Sequence, residues 1–333
     1  MSHKNNHSPI GLDVGTSRLV VARQDEQGFQ FESQLNAFVN IPFSKLTEGV
    51  LKKERVPYSV EGAEMIVYGN QAERFAALLN AEIRRPMTRG VLNPGEPDGA
   101  RLIGEIASAL TGKVAQKGQK LYFTVPATPL GAEENITYHE ATLRQMLGDM
   151  GFEAHSIDEG LSVIYAELES SSYTGIGISC GGGLCNICLA YLSVPVMSFS
   201  IPKAGDFIDS SAASATGERA NRIRILKEQN FYLNGSCADK IQQVLTVYYD
   251  DMINSLVSGM KEAFRNSRKT PKFGQAIPIV LSGGTAMPKG FRDRFEKALL
   301  ESEFPIEISE IRMAGDPLTT TAKGALVAAV SDQ

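Results

Sequence analysis

The chain has 333 residues, a hydrophobic content of 43%, a charged content of 21% and a formal net charge of −5. This length indicates two domains or one bilobed unit, and the composition is that of an ordinary globular protein. The negative charge argues against a general nucleic-acid-binding protein, and no apolar run approaches the roughly 20 residues of a membrane span. The start, MSHKNNHSP, has no apolar core. We therefore expect no signal peptide, a cytoplasmic location and reduced cysteines.

Apolar periodicity predicts strands and helices that alternate along the chain. The predicted strands are 10–12, 19–22, 121–125, 176–179, 187–191, 196–201 and 277–281, and the predicted helices are 100–110, 137–150, 161–168, 240–264, 290–300 and 319–330. The order hairpin, helix, strand, helix occurs in both halves, so we expect an α/β protein of two duplicated domains, 1–155 and 156–333, with a cleft between them. Segments of about 36–67 and 203–275 are interpreted as one insertion in each domain.

Three glycine-rich turns follow apolar strands, at 11–17, 179–183 and 282–285. Glycine lets backbone N–H groups approach an anion closely, so the first two turns predict a site that clamps a polyphosphate from both sides. The third turn is suited to cover a nucleoside. The first turn carries Asp13, whose carboxylate suits Mg²⁺ or its waters, whereas Ser179 stands at the matching position of the second turn. No turn matches the P-loop pattern GxxxxGK(S/T), which argues against a Walker-type NTPase.

Charged residues near these turns are further candidates. Segment 216–228, TGERANRIRILKE, offers Glu218 and Lys227 for ribose or base contacts, although most of its charges are those of a solvated helix. Carboxylates that could orient an attacking water are Glu133, Glu134, Glu140 and Glu159. Each of these acids is also compatible with a plain position on a helix surface.

In this order the motifs resemble those of the actin-like ATPase superfamily, specifically the MreB-type bacterial actins. The matching segments are GLDVGT at 11–16, RPMTRGVL at 85–92, FTVPAT at 123–128, IDEG at 157–160, SCGGGLC at 179–185, KAGDFID at 203–209, TGERANRIRI at 216–225, VLSGGTAMPKG at 280–290 and GDPLTTTAKGA at 315–325. The resemblance covers nearly the whole chain, and its strength lies in nine matches in the right order.

The resemblance implies a duplicated, ribonuclease-H-like two-domain fold with four subdomains and a central nucleotide cleft. It implies ATP or ADP with Mg²⁺ as cofactors, and head-to-tail self-assembly into cytoskeletal filaments that work with an unidentified adaptor or cargo. The residues implied at the nucleotide are Gly11, Gly15, Thr16, Ser17, Ser179, Gly181, Gly182, Gly183, Gly205, Asp206, Glu218, Lys227, Gly283, Gly284 and Thr285. Asp13 is implied at the metal, and Glu140 or Glu159 as the catalytic carboxylate.

The second turn departs from the family pattern DxGGGT, because Ser179 replaces the Asp and Leu184 replaces the Thr. A hydroxyl is a poorer partner for hydrated Mg²⁺ than a carboxylate, so we expect slow or impaired hydrolysis and a faster phosphate release in Ser179→Asp. No direct membrane insertion is expected, since loop 112–120 has no apolar pair. The alternatives are a non-polymerising ATP-dependent scaffold or chaperone-like regulator, and a small-molecule kinase of the same superfamily.

Overall fold

The computed structural model describes residues 8–332 except 113, 115–116, 132–135, 236–238 and 268–272. The strands are β1 (Ile10–Val14), β2 (Arg18–Asp25), β3 (Gly28–Leu35), β4 (Phe38–Pro42), β5 (Tyr58–Glu61), β6 (Glu64–Tyr68), β7 (Met87–Thr88), β8 (Val91–Leu92), β9 (Gln119–Val125), β10 (Phe152–Asp158), β11 (Gly175–Cys180), β12 (Cys185–Tyr191), β13 (Val194–Ile201), β14 (Ile277–Ser282) and β15 (Ile308–Met313). The α-helices are α1 (Lys45–Glu54), α2 (Gln71–Leu79), α3 (Gly99–Thr111), α4 (Thr137–Asp149), α5 (Glu159–Glu167), α6 (Gly205–Thr216), α7 (Ala220–Asn230), α8 (Lys240–Asn266), α9 (Phe291–Glu301) and α10 (Thr320–Ser331). Of the helices in the described ranges, not one combines the length and apolarity needed to cross a lipid bilayer.

Two five-stranded sheets share one topology. The first has the order β10-β9-β1-β2-β3 and the second has the order β13-β12-β11-β14-β15. In each sheet the two strands that come first in the chain form an antiparallel hairpin, and the next strand in the chain pairs antiparallel with the second of them. The last two strands in the chain add in parallel beside the first strand of the hairpin. This repeated order is the structural counterpart of the duplication that the sequence predicts. The chain therefore has a mixed α/β architecture with two equivalent halves.

Each sheet is covered on both faces, which explains the apolar runs of its central strands. On the first sheet, the side chains of Leu12 and Phe123 pack against α3 and α4, which contribute Leu102 and Leu143. On the second sheet, one face packs against α6, α8 and α9, and fully buried Tyr249 of α8 lies in that core. The remaining face of the first sheet packs against α10, and that of the second sheet packs against α5.

Helices α5 and α10 cross in direct contact and join the two halves. A Cβ at Gly324 of α10 would lie 1.8 Å from the backbone oxygen of Ser162 of α5. On the outer sides of this pair, a Cβ at Gly11 of β1 would lie 2.2 Å from Ala322 O, and a Cβ at Gly160 would lie 2.6 Å from Cys188 N. Only glycine permits such approaches, so the sheet–helix–helix–sheet stack depends on the absence of these side chains.

Each half carries an inserted unit. Between β3 and α3, a three-stranded antiparallel sheet of order β4-β6-β5 packs with α1 and α2, so this unit runs on through Leu79, beyond the expected range of about 36–67. In the second half, the described residues between Gly205 and Asn266 form α6, α7 and α8 and contain no strand. The two insertions therefore differ in secondary structure, although the two core sheets share one topology.

Candidate functional site

The ends of β1, β11 and β14 meet at a central cavity of about 640 Å³. The turns that follow these three strands line it, together with the first turn of α6, the second half of α7 and part of α8. A cavity of this size lies in the range of small-molecule sites, about 300–1,000 Å³. The three glycine-rich turns of the sequence are thus brought together in one place.

The first two turns touch each other. Each is closed by its own hydrogen bond, from Gly15 N to Arg18 O and from Gly181 N to Leu184 O, both at 3.0 Å. A Cβ at Gly182 would lie 2.3 Å from Ser17 Oγ, so a side chain at this position would force the Ser17 hydroxyl to move.

The same two turns present unused donors. Among the described residues, the backbone N–H groups of Thr16, Ser17, Gly182 and Gly183 have no hydrogen-bond partner. Because these residues line the cavity, their N–H groups form a cradle that suits an anion.

The third turn is tied to the second. Thr285 Oγ1 donates to Gly181 O at 2.7 Å, and Gly205 N donates to the same oxygen at 3.2 Å. Gly283 has a φ of 90°, and a Cβ there would lie 2.2 Å from Cys180 O, so this position requires glycine. Beyond these contacts the cavity wall is partly apolar, with Met287 and Phe231 among its residues.

Asp13 extends into the cavity from β1 and is held by two hydroxyl groups. Its Oδ1 accepts from Thr124 Oγ1 at 2.6 Å, and its Oδ2 accepts from Thr321 Oγ1 at 2.8 Å. Burial raises the pKa of Asp13 above its ordinary value, and the two hydroxyl donors oppose that shift. The carboxylate is thus oriented from β9, the neighbouring strand, and from α10, which packs on a face of the same sheet.

Glu159 begins α5 and contributes another carboxylate to the cavity. Its Oε2 accepts from Ser179 Oγ at 3.1 Å and from Asn186 Nδ2 at 2.9 Å. Its Oε1 has no hydrogen-bond partner among the described residues. Burial, together with the charge of Asp13, raises the pKa of Glu159 to about 8. Such a group changes its protonation state near neutral pH, as a general acid or base must.

Cationic side chains lie at the opposite wall. Lys227 Nζ is 2.8 Å from Asp209 Oδ1 and donates to Gly205 O at 3.3 Å, and both side chains of this ion pair are buried. Burial raises the pKa of Asp209, while the nearby Lys227 opposes that shift.

The two insertions meet over the cavity. Arg224 of α7, which lines the cavity, donates to Glu73 of α2, and Arg219 Nη1 donates to Asn80 Oδ1 at 3.5 Å. Deeper in the cleft, Arg85 Nη1 donates to Asp206 Oδ1 at 2.7 Å. These contacts are called the cleft contacts below. They connect the first half to the second across the opening.

Most of the residues that the sequence analysis selects line this cavity. They are Asp13, Gly15, Thr16, Ser17, Glu159, Ser179, Gly181, Gly182, Gly183, Gly205, Asp206, Lys227, Gly283, Gly284 and Thr285. Glu133 and Glu134 lie outside the described residues.

Three selected residues lie elsewhere. Gly11 is inside β1 and faces α10, where its role is close packing. Glu140 is on the side of α4 that faces β10, and its Oε1 accepts from Ser156 Oγ at 2.7 Å and from Arg144 at 2.5 Å. Glu218 lies in the turn between α6 and α7 and pairs with Arg222 at 3.0 Å. Of the two candidate catalytic carboxylates, the structure therefore brings only Glu159 to the cavity.

Sequence reasoning did not select Thr124, Thr321 or Asn186. All three lie in or beside segments that resemble the family, but an isolated hydroxyl or amide carries no distinctive spacing. Thr321 is 308 positions from the carboxylate that it contacts. No local pattern could have indicated that contact.

Comparison with solved structures shows which fold this is. The chain is similar to a MamK double helical filament, with 17% identity, a TM-score of 0.73 and coverage of 98% of both chains. It is also similar to MreB5 of Spiroplasma citri bound to ADP, with 16% identity, a TM-score of 0.66 and coverage of 97% of this chain and 96% of that one. A third neighbour is the ethanolamine utilization protein EutJ from Carboxydothermus hydrogenoformans, with 17% identity, a TM-score of 0.55 and coverage of 96% and 88%. These similarities confirm the predicted actin-like two-domain fold.

Sequence comparison gives the family. No curated protein sequence matches the chain. The sequence profile of the Volactin family matches residues 9–329, nearly the full length. The chain therefore belongs to the Volactin family and has the actin-like fold.

Proposed function

We propose that this protein binds ATP or ADP with Mg²⁺ in the central cavity, hydrolyses ATP slowly and assembles head-to-tail into cytoplasmic filaments. The observation that carries the proposal is the convergence of three glycine turns and the carboxylates of Asp13 and Glu159 on one cavity of about 640 Å³. Support comes from the fold, which is shared with a MamK filament and with MreB5 bound to ADP. Assembly of identical subunits through heterologous contacts that do not close produces open filaments.

The donors of the cavity fit a polyphosphate. The unused N–H groups of Thr16, Ser17, Gly182 and Gly183 would hold the phosphates, and the partly apolar wall beside the third turn would receive the nucleoside. Lys227 and Arg224 lie on the same side as that wall, and we assign them to ribose or base contacts.

The carboxylates fit a hydrated cation. Within the described ranges no group of three His, Cys, Asp or Glu side chains could enclose a metal ion. Mg²⁺ commonly keeps several waters and takes only one or two carboxylates together with substrate phosphates. Asp13 would hold the hydrated ion, which when bound supplies positive charge that stabilises the transferring phosphoryl group.

Glu159 has the arrangement of a group that orients an attacking water. Its Oε2 is fixed by two donors, and its other oxygen is left for a further partner. With a pKa of about 8, the ionised form of Glu159 is a stronger base than an ordinary carboxylate, and it is the form that can accept a proton from water. We therefore assign the catalytic role to Glu159 rather than Glu140. We also propose that the chain divides into domains 1–155 and 156–333, each with its insertion as a subdomain.

The first test is nucleotide binding by Gly183→Ala. A Cβ at Gly183 would lie 2.5 Å from the backbone nitrogen of Gly90, between β7 and β8, and 2.6 Å from Thr16 Oγ1 of the first turn, so the second turn must shift. We expect the Kd for a fluorescent ATP analogue with Mg²⁺ to rise at least tenfold. Gly49→Ala on α1 is the matched control, because its Cβ meets no atom within 4 Å. Equal affinities of the two variants would contradict the assigned cradle.

Assembly is tested by sedimentation of the unmodified protein over a concentration series with Mg-ATP, Mg-ADP or no nucleotide. We expect a critical concentration that depends on the nucleotide. A protein that binds nucleotide but stays monomeric under every condition would instead support the scaffold alternative. Phosphate transfer to a small-molecule acceptor panel would support the kinase alternative.

A further inference from the structure

Ser179 stands where the family pattern has an aspartate, and the structure gives its hydroxyl a specific task. Ser179 Oγ donates to Glu159 Oε2 at 3.1 Å, and Asn186 Nδ2 donates to the same oxygen at 2.9 Å. Ser179 is 4% exposed and Asn186 is 1% exposed, so both hydrogen bonds are shielded from water. Two neutral donors therefore converge on one oxygen of the cavity carboxylate.

The orientation of Asn186 is determined by a second contact. Its Oδ1 accepts from the backbone nitrogen of Ala127 at 2.9 Å. A backbone N–H can only donate, so the amide oxygen must face Ala127 and the NH₂ group must face Glu159. Asn186 also lies directly opposite Ser179 in the register of β11 and β12. The hairpin that carries the second glycine turn thus also holds Glu159.

We propose that Ser179 and Asn186 are positioning residues that fix Glu159 Oε2 and leave Oε1 as the oxygen that orients water in the cavity. This inference rests on the proposed function of the cavity. It assigns to Ser179 an active role in this chain, distinct from that of the aspartate in the family pattern.

The distance to Glu159 reverses the expected effect of Ser179→Asp. A carboxylate at position 179 would lie against Glu159 Oε2, where Ser179 Oγ is now 3.1 Å away. Two carboxylates in such contact repel each other and must share a proton, so the donor to Oε2 is lost or competes with a new charge. We now expect Ser179→Asp to lower phosphate release at least tenfold, whereas the family pattern alone predicts an increase.

The test compares Ser179→Ala, Ser179→Thr and Asn186→Asp in the full chain. Ser179→Ala removes one donor, and Ser179→Thr keeps a hydroxyl. Asn186→Asp keeps the acceptor for Ala127 but replaces the other donor by a carboxylate oxygen, which repels Glu159 Oε2. Single-turnover phosphate release should fall by roughly tenfold to a hundredfold in Ser179→Ala and Asn186→Asp, because small displacements of a catalytic group have effects of this size. The Kd for the fluorescent ATP analogue should change less than threefold, and Ser179→Thr should recover part of the rate.

A matched control and a second measurement keep the test decisive. Asn40→Asp on β4 alters another amide that donates to a glutamate, Glu64 at 2.7 Å, but in an exposed position away from the cavity, and it should leave phosphate release unchanged. In the nucleotide-free protein, the infrared carboxyl band that disappears in Glu159→Gln should shift in Ser179→Ala and Asn186→Asp.

An unshifted band, or a faster Ser179→Asp, would overturn the positioning roles. If the unmodified protein did not bind nucleotide, the proposed function would be overturned instead. The band shift would still show whether Ser179 and Asn186 contact Glu159.

Discussion

Asp13 and Glu159 share one buried cavity, and no cation among the described side chains offsets their charge. Burial disfavours the ionised forms and raises both pKa values, and the charge of Asp13 raises the pKa of Glu159 further. A carboxyl whose pKa is higher in the folded state binds more protons there than in the unfolded chain. The resulting stabilisation is fully present below the unfolded value of 4.5 and is lost as the pH rises through about 8.

We therefore predict that the nucleotide-free protein loses stability between pH 5 and pH 8 and that Glu159→Gln reduces this loss. The amide keeps the shape of the side chain but carries no charge. Across this interval the difference in unfolding free energy should grow in favour of the variant, by at most about 1.4 kcal/mol per pH unit. Urea unfolding at several pH values measures it. Glu82→Gln, at an exposed position, is the control, and parallel curves for the two variants would contradict the prediction.

Single residues also differ in how far their place in the site could be predicted from the sequence. The glycine turns are evident from their composition, because close backbone approach selects one residue type. Glu140 and Glu159 are equivalent candidates in the sequence, since each begins a helical segment. They differ only in the direction that the fold gives them: Glu140 faces Ser156 of β10, and Glu159 faces the second glycine turn.

At the element scale, the crossing of α5 and α10 is the contact on which both halves depend. We predict that Gly324→Ala lowers the free energy of unfolding by about 3 kcal/mol, as overpacking of a rigid contact does. The added Cβ would lie 1.8 Å from the backbone oxygen of Ser162, which belongs to a helix and cannot rotate away. Denaturant unfolding monitored by circular dichroism measures the loss.

Gly148→Ala on α4 is the matched helix variant, because its Cβ meets no atom within 4 Å. Replacing glycine by alanine at an open helix position stabilises by roughly 0.5–1 kcal/mol. If both variants behaved alike, the effect at position 324 would be one of helix propensity and not of the crossing.

Among the strands of the two large sheets, those with complete burial were predicted best. Strands β1, β9, β11 and β14 have apolar runs and were found. Strand β3 (GFQFESQL) and strand β15 were missed, because edge strands with exposed residues lack such runs. The bounds of strand β10 (FEAHSID) were not predicted, since its polar residues hide the pattern although it pairs along its full length with β9.

At the scale of the whole molecule, the cleft contacts join the two insertions over the cavity. Arg224 belongs both to the cavity lining and to the cleft contacts, since it lines the cavity and also donates to Glu73 of the first insertion. A ligand that engages Arg224 therefore acts on the same side chain that closes the opening. We therefore expect occupancy of the cavity to affect the separation of the two halves.

We predict that the double variant Glu73→Gln, Asn80→Ala opens the cleft. Release of a bound fluorescent ADP should become roughly threefold to fivefold faster, because a partly exposed ion pair contributes up to about 1 kcal/mol. The radius of gyration in small-angle X-ray scattering should rise as well. Glu54→Gln is the control, since it removes a 2.7 Å ion pair with Arg74 inside the first insertion. An unchanged release rate in the double variant would show that the contacts of Glu73 and Asn80 with α7 and the residue before it do not restrain the ligand.

The position of α10 has a consequence for biosynthesis. A ribosome completes every strand of both sheets before it makes this helix, yet α10 covers one face of the first sheet, where Val20 and Ala22 contact Leu326. Throughout translation of the second half, the earlier sheet keeps an apolar face without its partner. The two halves therefore do not complete their folding one after the other, because the apolar face of the first sheet stays uncovered until α10 has been made.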